Sequence, residues 1–349
     1  MSSRSRVGRA PLRGALAAAA LLAAAWASPG AAQETHLLMV VGLPGQDVYA
    51  ERFHEWSSTI RGAAVEKLNV PERNVIWLGD DPKAPAGQIH DRATVAAMRA
   101  AVTAIAGRAG PSDRVLVVLI GHGTARDQDG ARFNLSGPDL SPTDLDLMLD
   151  ELAPRPVAVV NAASASGDFV AGLSGEGRTV ITATRSGREA TETWFGQFFA
   201  AALAGDGSDL DKDGRISLLE AFEFSRREVA RYFAEKELLA TEHPLLDDDG
   251  DGEGTLEPGE ATTDGRLAAA FFVGGPALAS AARADRPDAA GDPVLARLYE
   301  EEEALQTRVA AHRLRREQMD PTEYETQLEE LLVELALKAR EIREHQGAR

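Results

Sequence analysis

Apolar residues along this chain fall into two rhythms, and their alternation predicts the architecture. From His36 to Leu43 the side chains are almost all apolar and stop at Pro44-Gly45, the pattern of a parallel strand buried on both faces. Residues 47–68 then place Val48, Phe53, Trp56, Ile60, Ala64 and Leu68 at helical spacing, which predicts an amphipathic helix. A strand over Asn74–Leu78, a helix near 91–107 and a strand over Arg114–Ile120 follow. Strand and helix alternating at this pitch predict a mostly parallel α/β sheet flanked by helices, with right-handed crossovers.

The same reading continues with a short strand at Ala131–Leu135. Ser141-Pro142 open a helix that runs to Leu152, with Asp144 closing a capping box. Strands are predicted at Pro156–Val160 and Thr179–Thr184. A helix near 192–203 carries Trp194, Phe195, Phe198, Phe199 and Leu203 on one side, and Leu267–Val273 reads as a late strand that completes the sheet. Residues 277–291, rich in Gly, Ala, Pro and Asp, form a linker by composition. Beyond it, 293–316 and 321–345 read as two helices broken at Asp320-Pro321. Leu295, Leu298, Leu305 and Val309 mark one face of the first, and Tyr324, Leu328, Leu331, Leu335 and Ile342 one face of the second. These stripes predict an αα-hairpin over 292–349, short of a stable core alone, which docks on the main domain, on another copy or on a protein partner.

Composition sharpens this picture in three places. The first is the start of the chain, where Arg4, Arg6, Arg9 and Arg13 precede a small-apolar run from Gly14 to Ala27 and the exit Ser28-Pro29-Gly30-Ala31-Ala32. That is the grammar of a secretory signal peptide over 1–32; it predicts export to a periplasmic or extracellular space and no stable membrane insertion after cleavage. The second is a formal charge of −18, which argues against a nucleic-acid partner and for cation binding or acid-tuned solubility. The third is the absence of cysteine, which excludes disulfides, thiolate metal sites and any thiol nucleophile.

Open α/β sheets carry their chemistry beyond the carboxyl ends of the strands, and three such ends are unusual here. The strand at 114–120 closes with Gly121-His122-Gly123-Thr124. The one at 156–160 closes with Asn161-Ala162-Ala163-Ser164-Ala165-Ser166-Gly167-Asp168, and the one at 179–184 with Arg185-Ser186-Gly187. A histidine between two glycines suits neither helix nor packed core; it reads equally as a functional group or as a turn residue.

A strand ending in His-Gly, followed one strand later by a small loop ending in Ser-Gly, resembles the caspase and legumain family of cysteine peptidases. The segment from Pro71 to the paired Asp80-Asp81 is closer to the legumain-like branch. The resemblance covers roughly residues 34–276, and the domain it implies spans 33–276. It implies His122 as the catalytic histidine, Gly123 as a backbone oxyanion donor and Ser164 at the position of the nucleophilic cysteine. With serine there, the family's thiol chemistry is excluded. A hydroxyl is a far poorer nucleophile than a thiol and needs an oriented base; Asp80, Asp81 and Asp168 are the acids near candidate loops. The resemblance further implies that Arg185 and Asp168 wall the substrate pocket, Arg185 favouring an acidic side chain. A solvated loop arginine, and a turn or capping aspartate, are the plain alternatives.

Asp209-Leu210-Asp211-Lys212-Asp213-Gly214-Arg215-Ile216-Ser217-Leu218-Leu219-Glu220 matches a twelve-residue EF-hand loop. Asp209, Asp211 and Asp213 would supply side-chain oxygens, Arg215 its carbonyl, Ser217 a direct or water-mediated contact and Glu220 both carboxylate oxygens. A second acidic run, Asp247 to Gly254, starts with the same alternation through Asp247, Asp249 and Asp251. Its twelfth position is Pro258, so the closing glutamate is missing unless Glu257 or Glu260 reaches. The expected role of Ca2+ is structural, tying the helix after Ser217 to the sheet. Three functions stay open: a family member silenced by Ser164 whose cleft binds a peptide or protein, a serine peptidase using Ser164 and His122, and a calcium-dependent scaffold.

Overall fold

The computed structural model describes residues 33–80, 84–126, 130–205, 207–210, 215–259, 262–274, 292–313 and 320–347. The segments expected as signal peptide (1–32) and linker (277–291), and Asp81, Asp211, Asp213 and Glu260, lie outside the described residues. Six strands form the main sheet: β1 (Thr35–Val41), β2 (Val75–Leu78), β3 (Arg114–Ile120), β6 (Val157–Asn161), β7 (Arg178–Thr182) and β8 (Leu245–Asp247). Their order is β2-β1-β3-β6-β7-β8, and every neighbouring pair is parallel except β7 with β8. A separate antiparallel hairpin joins β4 (Gly123–Arg126) to β5 (Gly130–Phe133) directly after β3.

The period-two geometry of a strand explains the unbroken apolar runs, because both faces of this sheet are covered. Leu37, Met39, Leu116, Val118 and Val160 point to one layer, where they pack with Phe53, Trp56 and Ile60 of α1 (Asp47–Gly62), Phe199 of α5 (Phe195–Ala204) and Phe222 of α6 (Leu218–Glu235). Leu38, Val40, Val115, Val117 and Val159 point to the other. There they meet Met98 and Val102 of α2 (Val95–Arg108), Leu145 and Met148 of α3 (Pro142–Leu149) and Val170 of α4 (Val170–Leu173). Burying each such side chain contributes about 1.5–3 kcal/mol relative to leaving it in water. The result is a mixed α/β fold, a multi-strand sheet flanked by helices.

Three local expectations change. Val48, assigned to the buried stripe of α1, is 46% exposed. The 131–135 strand exists as β5 but pairs with β4 outside the main sheet. Leu267–Val273 is not the last strand; that edge belongs to β8, and the segment instead forms the short helix α7 (Arg266–Ala270) followed by a single bridge between Phe272 and Ser217. The cause is local capping. Gly265 turns at φ 104°, and buried Asp248 accepts hydrogen bonds from the Gly265 and Ala268 N–H groups at 2.9 and 2.7 Å, satisfying the first turn of a helix.

The C-terminal helices, Pro293–Arg313 and Pro321–Gly347, pair antiparallel. Asp292 meets His345 at 2.7 Å, Glu301 meets Lys338 at 2.8 Å and Arg308 meets Glu334 at 3.0 Å. Leu295, Leu298, Tyr299 and Ile342 form a small apolar cluster of their own. Among the described residues no helix is long and apolar enough to cross a membrane.

Candidate functional site

Parallel pairing brings three loops to one edge of the sheet. Val41 is in register with Ile120, Leu119 with Asn161, and Asn161 with Thr182, so the residues that follow β3, β6 and β7 emerge side by side. Ser164 and the His122-Gly123 pair meet there. The Ser164 hydroxyl accepts from the Gly123 N–H at 3.2 Å and donates to the Gly123 carbonyl at 3.3 Å, and Ser164 is only 3% exposed. A Cβ on Gly123 would overlap the Ser164 carbonyl oxygen, so glycine is what permits this approach.

The His122 ring is hydrogen-bonded elsewhere. Its Nε2 lies 3.2 Å from the Pro44 carbonyl oxygen. A carbonyl can only accept, so Nε2 carries the proton and Nδ1 is the basic nitrogen. Tyr49 packs edge-on against the ring at 4.5 Å between centroids and Phe53 at 5.3 Å. Burial holds the imidazole below its ordinary pKa, against the Pro44 hydrogen bond and the Glu192 carboxylate, which both favour protonation. His122 is therefore neutral at pH 7, and the group on its ring nitrogen is a backbone carbonyl rather than a carboxylate. Asp80 is engaged elsewhere, accepting from Arg92 Nε at 3.0 Å and Ser136 Oγ at 3.0 Å. Pro44 and Phe53 also help line a small, mostly apolar pocket with Val41, Leu43, Ala50 and His54.

The loop carrying Ser164 is braced from behind. Ser166, 1% exposed, accepts from the N–H groups of Ala183 and Thr184 at 3.1 and 3.2 Å. The Gly167 N–H donates to Thr184 Oγ1 at 3.0 Å, and a Cβ on Gly167 would overlap the Arg185–Ser186 peptide. Between these serines Ala165 sits at φ 52°, a left-handed conformation that costs an L-residue about 1–2 kcal/mol and persists only where the surroundings impose it.

Asp168 and Arg185 both have hydrogen-bond or ion-pair partners close to this loop. Asp168 accepts from the Gly187 N–H at 3.0 Å. Arg185 pairs with Glu189 at 3.1 Å, and its own N–H donates to the same carboxylate at 3.0 Å. Glu189, which the sequence reading passed over, also bonds His243 Nδ1 at 2.6 Å and, through its carbonyl, accepts the Ala165 N–H at 2.9 Å. Glu242, also missed, is 2% exposed and accepts from the Trp194 and Phe195 N–H groups at the start of α5, both at 2.8 Å; burial pushes its carboxyl up to about 8. The only sequence signal for either was an acid beside a predicted element boundary.

The acidic loops lie apart from the cleft in the chain. In the EF-hand-like segment Glu220 occupies the third position of α6. Its Oε2 accepts from the Ser217 N–H and hydroxyl at 2.9 and 2.7 Å, and its Oε1 from the Leu210 N–H at 2.9 Å. The loop's second residue thus closes on its twelfth. Ile216 bonds through its carbonyl to the Val273 N–H at 3.1 Å, and the Leu218 N–H donates to Phe271 at 2.9 Å. Arg215 stacks its guanidinium on Phe272 at 3.7 Å. In the second run Asp247, Asp249 and Asp264 bring carboxylate oxygens within 4.8 Å of one another. Asp264 was not anticipated, and Asp251 is not part of that group; its carboxylate accepts from the Glu253 N–H at 2.7 Å. Burial, reinforced by the neighbouring carboxylates, pushes Asp264 up to about 6 and raises Asp247 in the same direction.

No family model matches this chain, and no curated protein matches it either.

Proposed function

We propose that the protein is a catalytically silent relative of the caspase and legumain peptidases, exported and stabilised by calcium, whose cleft beyond β3 and β6 binds a peptide or protein segment. One observation carries the silent reading: the Ser164 hydroxyl is closed on both the N–H and the carbonyl of Gly123. For attack, a serine must hand its proton to a base, and the carbonyl that receives it here is not one. The same geometry occupies the N–H that the resemblance assigns to the oxyanion, since that donor is spent on the would-be nucleophile. The imidazole has a backbone carbonyl rather than a hydrogen-bonded carboxylate on its ring nitrogen, so an imidazolium gains only the weaker support of Pro44 and the Glu192 charge.

The family reading draws support from strand order. His122 follows the third strand of the main sheet and Ser164 the next strand beside it, at the edge where open α/β sheets bind ligands. A strained Ala165 inside a heavily braced loop is the kind of feature that marks a binding or switch region. The neutral His122, with Nδ1 free of the proton, favours a second reading, a serine peptidase in which substrate binding rotates Ser164 off Gly123.

A fluorophosphonate probe separates the two. The silent reading expects no labelling of the wild-type protein, with calcium present and at long exposure. It also expects Ser164→Cys to react with iodoacetamide faster than His122→Ala/Ser164→Cys while cleaving a mixed peptide library poorly. Labelling that disappears in both Ser164→Ala and His122→Ala would replace this proposal with the serine peptidase.

A further inference from the structure

The loop after β8 carries a defect that an ion would repair. Leu246 and Thr255 pair through two backbone hydrogen bonds of 2.9 and 2.8 Å, which close residues 247–254 into a loop. Asp247 ends β8 opposite Val180 and is 1% exposed. Its Oδ1 accepts from Ser174 Oγ at 3.2 Å and from the Gly250 N–H at 3.3 Å. Its Oδ2 is buried and has no hydrogen-bond partner among the described residues. An ionised carboxylate oxygen withdrawn from water without a donor is among the costlier arrangements in a protein interior. Here it also sits beside two more carboxylates. Asp264, 6% exposed, arrives from the start of α7 and accepts from the Asp248 N–H at 2.8 Å. Asp249, on the solvent side, accepts from the Asp251 N–H at 3.0 Å and from the Thr263 hydroxyl.

We propose that Asp247, Asp249 and Asp264 form a calcium site, in which Asp264 takes the place of the glutamate missing from the twelfth position of the acidic run. Two oxygens that share a Ca2+ ion at about 2.3–2.6 Å each lie at most about 5 Å apart, and the three carboxylates already meet within 4.8 Å. The donors are all hard oxygens, Asp247 Oδ2 gains its missing partner, and the exposed Asp249 side leaves room for water ligands. The ion would tie the antiparallel edge strand β8 to α7, two segments the sequence separates by a run of acids. This inference is independent of the cleft and of loop 209–220.

The test is calorimetric titration of EDTA-stripped full-length protein with CaCl2, for wild type, Asp264→Asn, Asp249→Asn and Glu220→Gln. One calcium-binding step should weaken by roughly tenfold or more in both Asn variants and persist in Glu220→Gln. In EDTA, Asp264→Asn should melt no lower than wild type, because it removes like charge. Should Asp264→Asn fold poorly, the exposed Asp249→Asn decides alone. Unchanged calcium stoichiometry and affinity in Asp249→Asn, or no heat from the wild type at millimolar CaCl2, would overturn the assignment.

Discussion

At the edge beyond β3 and β6, every serine oxygen that approaches the cleft is closed on a neighbour: Ser164 on Gly123, Ser166 on Ala183 and Thr184. In the loop after β8, by contrast, Asp247 has a buried oxygen with no donor among the described residues, and its carboxylate lies within 4.8 Å of two others. Both regions are loops at strand ends, and both are rich in small and acidic residues. The difference is what each lacks. The first loop is complete as a piece of structure, and on the silent reading proposed above the groups that would act on substrate are the ones that hold it. The acidic loop leaves a buried carboxylate oxygen without a donor among the described residues, which the proposed cation would supply with a partner. Satisfied polar groups favour one rigid conformation, whereas unsatisfied buried charge is a standing demand for a ligand.

The largest test of this contrast strikes the brace of the cleft. In Gly167→Ala the new Cβ would meet the Arg185–Ser186 backbone, which cannot move like the end of a flexible side chain. The loop must shift, releasing the hydrogen bonds of Ser166 and Thr184. A loss of at least about 3 kcal/mol in urea unfolding is expected, with or without calcium. Retention of wild-type stability would mean that the Ser164 loop is far looser than its hydrogen bonds imply, and the contrast would fail on the cleft side.

The second test concerns calcium at loop 209–220. A ligand that binds only the folded state stabilises it by about 2.7 kcal/mol at a hundredfold excess over Kd. The thermal melting of wild type should therefore rise on adding CaCl2 to EDTA-treated protein. Glu220→Gln should lose a large part of that rise, since Glu220 is the residue on which the loop closes. Ser164→Ala should keep all of it. A calcium response equally reduced by Ser164→Ala would join the two regions that the structure keeps apart.

How far the sequence carried each region follows from the range of the interactions involved. β1 and β3 were legible because burial on both faces writes itself into consecutive residues, and His122 and Ser164 because strand ends are marked by Gly and small residues. The 142–149 helix was legible from Ser141, Pro142 and Asp144, whose capping box is local. Leu267–Val273 was misread because a short apolar run fits strand or helix alike; the deciding cap is Asp248, many residues upstream. Asp264 was invisible for the same reason, as were the bonds of Glu189 to His243 and Ala165, since those partners come from other segments. Asp168 and Arg185 have no local mark that distinguishes a pocket wall from a loop brace.

The smallest effect is the pH response of His122, and it probes the cleft most directly. Burial against Tyr49 and Phe53 depresses its pKa in the folded state, while the unfolded chain titrates near the ordinary value of about 6.5. Between the two values the unfolded state binds more protons, so this group's contribution to stability is fully present above about pH 6.5 and is lost as the pH falls through the folded value. Other groups titrate over the same range, His36 among them, so the useful quantity is the difference between wild type and His122→Gln, whose amide can still donate to Pro44. That difference should be flat above pH 7 and should turn against the wild type as the solution is acidified. A neutral imidazole whose Nε2–H donates to the Pro44 carbonyl would act as a packing group. If instead the His122 ring titrates above 6.5 by NMR, a carboxylate such as Glu192 is engaging it more strongly than burial excludes it. The cleft would then hold a poised acid–base pair, and the serine peptidase reading would gain the partner it lacks.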